Sequence, residues 1–418
     1  MIFLVVCVWP VGECGMDVFF HELGSVVLKR WKAENFSLAK FPAIAESALS
    51  ERPPALHFDV EEFLRVFLLD DAQPSQTESG FGEPEIIVYE NPRFYIQLLF
   101  WLDGTTAIHQ HEFSGAFHVL RGSSIHTRFD FQNANPVTPY FRMGDLRMRE
   151  MALLETGMTV PIVSGSTCIH SLFHLDTPSV TVVVRTQHDP GTGPQFNYLP
   201  PHVAYDPVFS DPLILRRRQV LEVLEQVQDP AYGDLVLGMI DELDFERGFH
   251  TLRGSMGYLR DLGEWSRVIA AFHKRHGVLA EGVGPTLDEC RRRDVIKGLR
   301  GATADPEHRF FLALLLNARS REGVISLIHE RFPEAHPMET IFRWVEELLH
   351  ETDFGFAILD VVFPAEADVD LDEQPGVFLD VLRACLDPDF KLSGGPAKTA
   401  WGPIRTALED SSFARLLV

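Results

Sequence analysis

Between Glu85 and Gln187 the chain breaks into short runs of β-branched and aromatic residues: Ile86-Ile87-Val88-Tyr89, Phe94-Tyr95-Ile96-Gln97-Leu98-Leu99-Phe100-Trp101, Phe117-His118-Val119-Leu120 and Ser179-Val180-Thr181-Val182-Val183-Val184-Arg185. Gly, Pro, Asn and Asp end each run. Many short strands punctuated in this way predict a sandwich or barrel, and this region constrains the fold more than any other part of the chain.

The flanks read differently. From Met16 to Asp71 the pattern is helical, with Asp59 placed to cap the amphipathic run Val60 to Leu69. Ala72 to Pro84 reads as a loop. His188 to Pro212 carries Pro190, Pro194, Pro200, Pro201, Pro207 and Pro212 and is expected to be a linker wrapped on the surface. Beyond it Asp211-Pro212, Asp229-Pro230 and Asp305-Pro306 each pair a capping aspartate with a proline suited to the first helical turn. Met338, Ile341, Phe342, Val345, Leu348 and Leu349 keep one apolar helical face. No clean repeat of fixed period emerges. The expected organisation is a helical segment over 1–80, a barrel over 81–200 and an α-helical domain over 201–418.

Composition narrows the function. The 418 residues hold 37 Lys+Arg against 60 Asp+Glu, a net charge of −23. That balance disfavours nucleic acid, whose phosphates demand a basic footprint, and anionic membrane surfaces. A hydrophobic fraction of 45% supplies large cores and argues against disorder. The five cysteines, Cys7, Cys14, Cys168, Cys290 and Cys385, include no Cys-x-x-Cys pair, so neither a disulfide framework nor a four-cysteine zinc site is expected. Met1 to Val11 is apolar but too short to span a bilayer, and no basic residue precedes it. It reads as a buried edge element, or as lying upstream of a true start at Met16, in preference to a badly formed secretory signal. With no other long apolar stretch, a cytoplasmic protein is expected.

Where the seventeen histidines fall is more informative than their number. His109-Gln110-His111 places two imidazoles at i and i+2, on one face of a strand, and His170 follows on another strand-like stretch. In a barrel that face is the interior, where neutral imidazoles can share one transition-metal ion. For His118 the register decides: it faces outward if Gly115 points inward, and inward if a bulge shifts the strand by one. His126, in a polar stretch, is expected to be exposed. Glu112 reads as a rim residue and Cys168 as a buried inert thiol. Arg216-Arg217-Arg218 and Arg291-Arg292-Arg293 read as solvated helix faces, and His273 and His276 form no convincing metal site.

These residues resemble the motifs of the cupin superfamily. His109-Gln110-His111 followed by Gly122 matches the first motif, with its glutamate slot falling on Gly115. Gly165, His170 and His174 match the second, His174 standing in the asparagine slot. Within cupins the chain is most similar to the cysteine dioxygenase group of thiol dioxygenases, through Phe94 to Trp101, Ile108 to His111, Val119-Leu120-Arg121-Gly122 and Arg128-Phe129-Asp130-Phe131. That group also lacks the glutamate ligand. The resemblance implies an α+β chain: a cupin-type β-barrel, or double-stranded β-helix, with a short N-terminal helical segment and a large C-terminal α-helical domain. It further implies Fe(II) held by His109, His111 and His170, with His174 orienting His170 or the substrate.

The departures fall at the substrate positions. The group's cysteine beside the metal falls near Gly115 or Ala116, its tyrosine at Arg185 and its partner histidine at Val183, and its carboxylate-gripping arginine has no counterpart near Ile87 or Val88. Arg185 then either supplies an anion-binding fork inside the barrel or sits in a salt bridge at its mouth. The expected function is a mononuclear non-heme iron oxygenase acting with O2 on a small anionic or thiol-containing substrate. The alternatives are a non-catalytic sensor or scaffold and a metal-dependent isomerase or hydrolase. A homodimer through the helical half is a further expectation.

Overall fold

Helices α1 (Gly15–Ala33), α2 (Phe41–Glu51), α3 (Pro54–His57) and α4 (Val60–Phe67) precede the strands, in a computed structural model that describes residues 15–69, 74–77, 81–102, 106–209, 211–351, 375–387, 389–392, 395–409 and 411–417. Asp59 caps α4 as expected, its Oδ1 accepting the Glu62 N–H at 2.8 Å. The apolar stretch Met1 to Val11, with Cys7, and Cys14 beyond it lie outside the described residues.

The strands are β1 (Glu85–Glu90), β2 (Phe94–Trp101), β3 (Ile108–His111), β4 (Gly115–Arg121), β5 (Ser123–Thr138), β6 (Phe141–Glu155), β7 (Thr159–Ile162), β8 (Gly165–His174), β9 (Ser179–Thr186), β10 (Asn197–Leu199) and β11 (Val203–Tyr205). They form two antiparallel sheets. One is five-stranded, in the order β1-β2-β9-β4-β7, and the other is a six-stranded ring, β10-β11-β6-β5-β8-β3, closed by β3 pairing with β10. Strands flanked by helices on both sides along the chain make this an α+β fold with a closed barrel. The segment read as a surface linker is a correction: it supplies β10 and β11, which close the ring, and buries Phe196, Tyr198, Val203 and Ala204. Its prolines hid two strands too short to leave a periodic signature.

Alternation along the strands explains the layers. On β9, Val180, Val182 and Val184 join Phe94, Ile96, Leu98 and Phe100 of β2 in a core with α1 and α2. The intervening Val183, with Leu99 and Trp101, faces the other sheet, in a cluster with Phe113, Phe117, Leu154, Ile162 and Leu172. A strand buried on both faces reads as a continuous apolar run, which is why Val180 to Val184 shows so little polarity. The ring has its own lumen, filled by Ile108, Phe129, Leu146, Ile169, Tyr198 and Ala204.

The C-terminal helices are α5 (Pro212–Gln226), α6 (Tyr232–Glu242), α7 (Phe245–Asp261), α8 (Trp265–His276), α9 (Val283–Ala302), α10 (Pro306–Asn317), α11 (Arg321–Arg331), α12 (Pro337–Glu351), α13 (Pro375–Leu386) and α14 (Pro396–Glu409). Asp211 and Asp305 cap α5 and α10, each accepting two backbone N–H bonds. Asp229 accepts the Ala231 N–H in the turn before α6. α12 buries Ile341, Phe342, Val345, Leu348 and Leu349 as its spacing predicts. Two cores tie this half to the ring. One holds α9 to α14 with Ile125, Leu153 and Phe173, and the other holds α5 to α9 with Phe141, Met143 and Val203. Arg300 of α9, 1% exposed, donates to the His174 carbonyl through Nε at 3.1 Å and Nη2 at 2.7 Å. The run Arg291 to Arg293 is not a plain solvated face. Arg292 and Arg293 are largely buried, share Glu289 and donate to carbonyls at the end of α10. Among the described residues no helix is long and apolar enough to cross a membrane.

Candidate metal centre

The pleat decides where the histidines go. Ile108 and Gln110 of β3 turn into the ring lumen, where Gln110 accepts the Tyr198 hydroxyl at 2.6 Å. His109 and His111 therefore face the five-stranded sheet, and so does His170, which alternates with lumen-facing Ile169 on β8. The expected interior is thus the space between the two sheets and not the lumen of the closed ring. His109 sits directly opposite His170 in the ladder. A regular ladder would then set His111 against residue 168, but His111 pairs with Gly165. The extra residues form a bulge that begins at Gly165, whose φ of 77° suits glycine. This bulge accommodates the long spacing between Gly165 and His170.

The ligand atoms of His109, His111 and His170 lie within 4.8 Å of one another, and all three residues are buried. Ring centroids are 4.6 to 4.9 Å apart. His109 Nδ1–H donates to the Ala107 carbonyl at 2.8 Å, which leaves the buried Nε2 with a lone pair and no partner among the described residues. His111 Nε2 and His170 Nε2 are 2.8 Å apart. Two neutral imidazoles at that distance share one proton, so an ion bound by both would displace it. Burial, before any neighbouring charge, lowers the pKa of His109 and holds His111 and His170 well below the ordinary value. All three are neutral at pH 7, the form a metal requires. The buried orphan at His109 and the shared locus of the other two fit a single transition-metal ion.

His126 corrects the sequence reading. It is 5% exposed, and its Nε2 lies 2.9 Å from His170 Nδ1. With His170 Nε2 directed at the shared locus, Nδ1–H donates to His126, fixing tautomer and ring plane as metal-bound histidines require. The β5–β8 register sets His126 opposite Leu172, a pairing that sequence spacing alone does not reveal. Replacing His126 by Phe keeps the ring volume and removes the acceptor. Metal affinity, read by competition with a chromophoric chelator, is expected to fall about 10- to 100-fold, and an unchanged affinity would deny His126 this role.

The other expected residues are distributed as follows. Arg185 lines the same cavity, its guanidinium 3.5 Å above the Phe113 ring and 5.1 Å from Tyr95. It donates to the carbonyls of Thr186 and Gln187. Among the described residues it makes no salt bridge. His174 is buried too, but its Nδ1 meets Ser124 and Ser179 and its ring stacks on Trp101 at 4.7 Å. Four strand positions from His170, about 13 Å at 3.3 Å per residue, it contacts none of the three histidines. His118 takes the outward alternative, under the N-terminal helices, with its Nε2 accepting from Ala55 and its Nδ1–H donating to Thr159. Cys168 is buried and its thiol is pushed up by burial. Glu112 accepts the Gln195 N–H at the rim.

Gly115 explains why the glutamate slot is empty. A Cβ there would stand 2.0 Å from the Val184 carbonyl oxygen, because β4 and β9 approach closely. Gly115→Glu is therefore expected to destabilise the barrel by at least about 4 kcal/mol, the range of buried steric conflicts. A folded variant with wild-type thermal stability would contradict that packing.

The remaining cavity is about 40 Å³, far below the roughly 300 to 1,000 Å³ of common ligand pockets. Phe113, Phe117, Leu99, Leu172 and Val183 make its walls apolar, and Phe81 lies 5.7 Å from His109. Gln97 Oε1 and Trp101 Nε1 are buried there without partners among the described residues.

No family model matches the chain, and no curated protein matches it. Solved structures with partial likeness include the capsular polysaccharide assembling protein CapF from Staphylococcus aureus, at 18% identity over 29% of this chain and 33% of that one, with a TM-score of 0.18. They also include the DMSP lyases RdDddP and RnDddQII (15% identity, 41% of this chain and 94% of that one, TM-score 0.21) and the DMSP lyase DddQ from Ruegeria pomeroyi DSS-3 (14%, 44% and 98%, TM-score 0.24). The chain spans about a third of the length of CapF. The chemistry below rests on the site itself.

Proposed function

We propose that this chain is a mononuclear non-heme iron oxygenase of the cupin type, acting with dioxygen on a small anionic or thiol-containing substrate. The observation that carries the reading is the make-up of the cavity. Three neutral imidazoles converge there beside one guanidinium, and among the described lining residues there is no carboxylate, lysine or tyrosine. Metal-assisted hydrolysis or isomerisation uses a base near the reacting atoms, and the described lining holds no side-chain base besides the three histidines. Fe(II) held by His109, His111 and His170 would supply open positions and redox chemistry, as at related facial sites.

The protein's own part is then to bind, orient and dry. Arg185 sits beside the histidines and its charge already depresses His111, so it can fork an incoming carboxylate against the overall negative field. The Trp101 Nε1–H and the Gln97 amide oxygen are available to fix a polar substituent. Phe113 and Phe117 exclude water. Phe81, 40% exposed, stands at the cavity wall beside His109.

Dioxygen uptake by iron-loaded protein across a panel of small thiols and carboxylates tests this reading. Uptake is expected with at least one member, and Arg185→Ala should raise KM for it at least about tenfold, the effect of losing a charged hydrogen bond worth roughly 1.5 to 3 kcal/mol. Uptake absent across the panel, or the same in His109→Ala, would sink the oxygenase reading. Turnover without oxygen consumption would favour an isomerase or hydrolase, and absence of bound metal a sensor or scaffold.

A further inference from the structure

A second and larger cavity, about 480 Å³, opens where the β5–β6 turn meets α5 and α7, within the usual size of ligand pockets, roughly 300 to 1,000 Å³. Its charges are unevenly spent. Arg247 takes both acids at one end, with Asp211 at 2.6 Å and Asp244 at 3.0 Å. Glu246 accepts the Thr138 hydroxyl at 2.7 Å, and burial raises its pKa. Arg218 and Arg253 remain. Among the described residues neither pairs with a carboxylate, in a chain where acids outnumber bases 60 to 37. Among the described residues Arg253 hydrogen-bonds only the Tyr205 hydroxyl, at 3.3 Å, and the buried Arg218 Nε has no partner. Both guanidiniums line the cleft with His250, whose pKa burial first and their two charges second lower to about 4.

The walls are flat and apolar. Tyr140 and Phe209 stack with centroids 3.8 Å apart and planes at 5°, beside Ile214 and Leu215. Gly254 of α7 gives Arg218 its place: a Cβ there would stand 2.8 Å from Arg218 Nε. The basic run on α5 is therefore not a uniformly solvated face, since Arg218 turns inward over a residue with no side chain.

We propose that this cleft is a ligand site distinct from the histidine centre, and that it takes a small organic oxyanion, a carboxylate or phosphate monoester, with a planar apolar body. Arg218 and Arg253 bind the oxyanion, since a guanidinium fork matches either group, and the aromatic wall holds the ring.

Calorimetric titration of the full chain with benzoate, phenyl phosphate, inorganic phosphate and neutral benzyl alcohol tests the assignment. At least one aromatic anion should bind with one-to-one saturation, more tightly than inorganic phosphate and at least tenfold more tightly than benzyl alcohol. The preferred anion tells carboxylate from phosphate. Arg253→Gln should weaken binding at least tenfold. Gly254→Ala should do the same while keeping both charges, and the fold should tolerate it, because alanine is the better helix former. Arg185→Ala separates this site from the other cavity and should leave binding unchanged. If Arg253→Gln does not fold, protection of Arg218 and Arg253 from phenylglyoxal by the bound anion, mapped on peptides, replaces it. No saturable binding, binding unchanged by Gly254→Ala, or binding lost in Arg185→Ala would overturn the proposal, whatever the outcome of the oxygenase tests.

Discussion

His109→Ala is expected to cost at least about 1,000-fold in metal affinity, more than the 10- to 100-fold typical of losing an outer partner. His109 is the ligand whose Nε2 has no other partner, with its tautomer fixed by the Ala107 carbonyl. Removing it leaves His111 and His170, whose Nε2 atoms satisfy one another at 2.8 Å, so the variant relaxes into a closed pair with little reason to hold an ion. Chelator competition reads the loss, and far-UV circular dichroism should show an intact fold. The order of effects is as diagnostic as their size: His109→Ala should exceed His126→Phe. Equal or negligible losses would mean that the three imidazoles do not act as one site.

Acid should begin to destabilise this protein well above the pH at which its carboxylates protonate. His174 is fully buried, and burial, reinforced by Arg300, takes its pKa to about 3; burial takes that of His118 to about 4. Both values lie below the unfolded one, so the unfolded chain binds the additional protons. Stability is complete above about pH 6.5 and falls as pH drops from there toward 4. At pH 5 each residue contributes a loss of about 2 kcal/mol, so the pair removes about 4 kcal/mol from a total that is commonly 5 to 15. Urea denaturation at pH 7 and pH 5 checks this by comparing the wild type with a His118→Gln/His174→Gln variant. The wild type should lose about 4 kcal/mol more between the two pH values, and parallel losses would refute the assignment.

The sequence carried β1, β2, β4 and β9, because β-branched runs bounded by turn residues need no partner to be recognised, but it did not mark β5 and β6, the two longest strands. It carried the histidines of the centre because two-residue periodicity places His109 and His111 on one face whatever the sheet does. It failed where the decisive fact was a register. Nothing local says that β5 sets His126 beside His170, so a buried partner looked like an exposed polar residue. His174 shows the converse: its place in the second motif suggested that it orients His170 or the substrate, but four strand positions carry it to Trp101 and Ser124. The proline-rich segment over 188–212 failed for a third reason, since strands as short as β10 and β11 are defined by what they pair with. The helical half yielded its caps and faces, but Arg218 could not be told from its exposed neighbours without Gly254 beneath it.

Metal analysis of the intact protein, purified anaerobically and measured by inductively coupled plasma mass spectrometry, tests the central claim most directly. The three-histidine centre requires about one transition-metal ion per chain, iron on the reading proposed here, falling to background in His109→Ala. A folded wild-type protein that carries no metal, and takes none up from excess Fe(II), would contradict it.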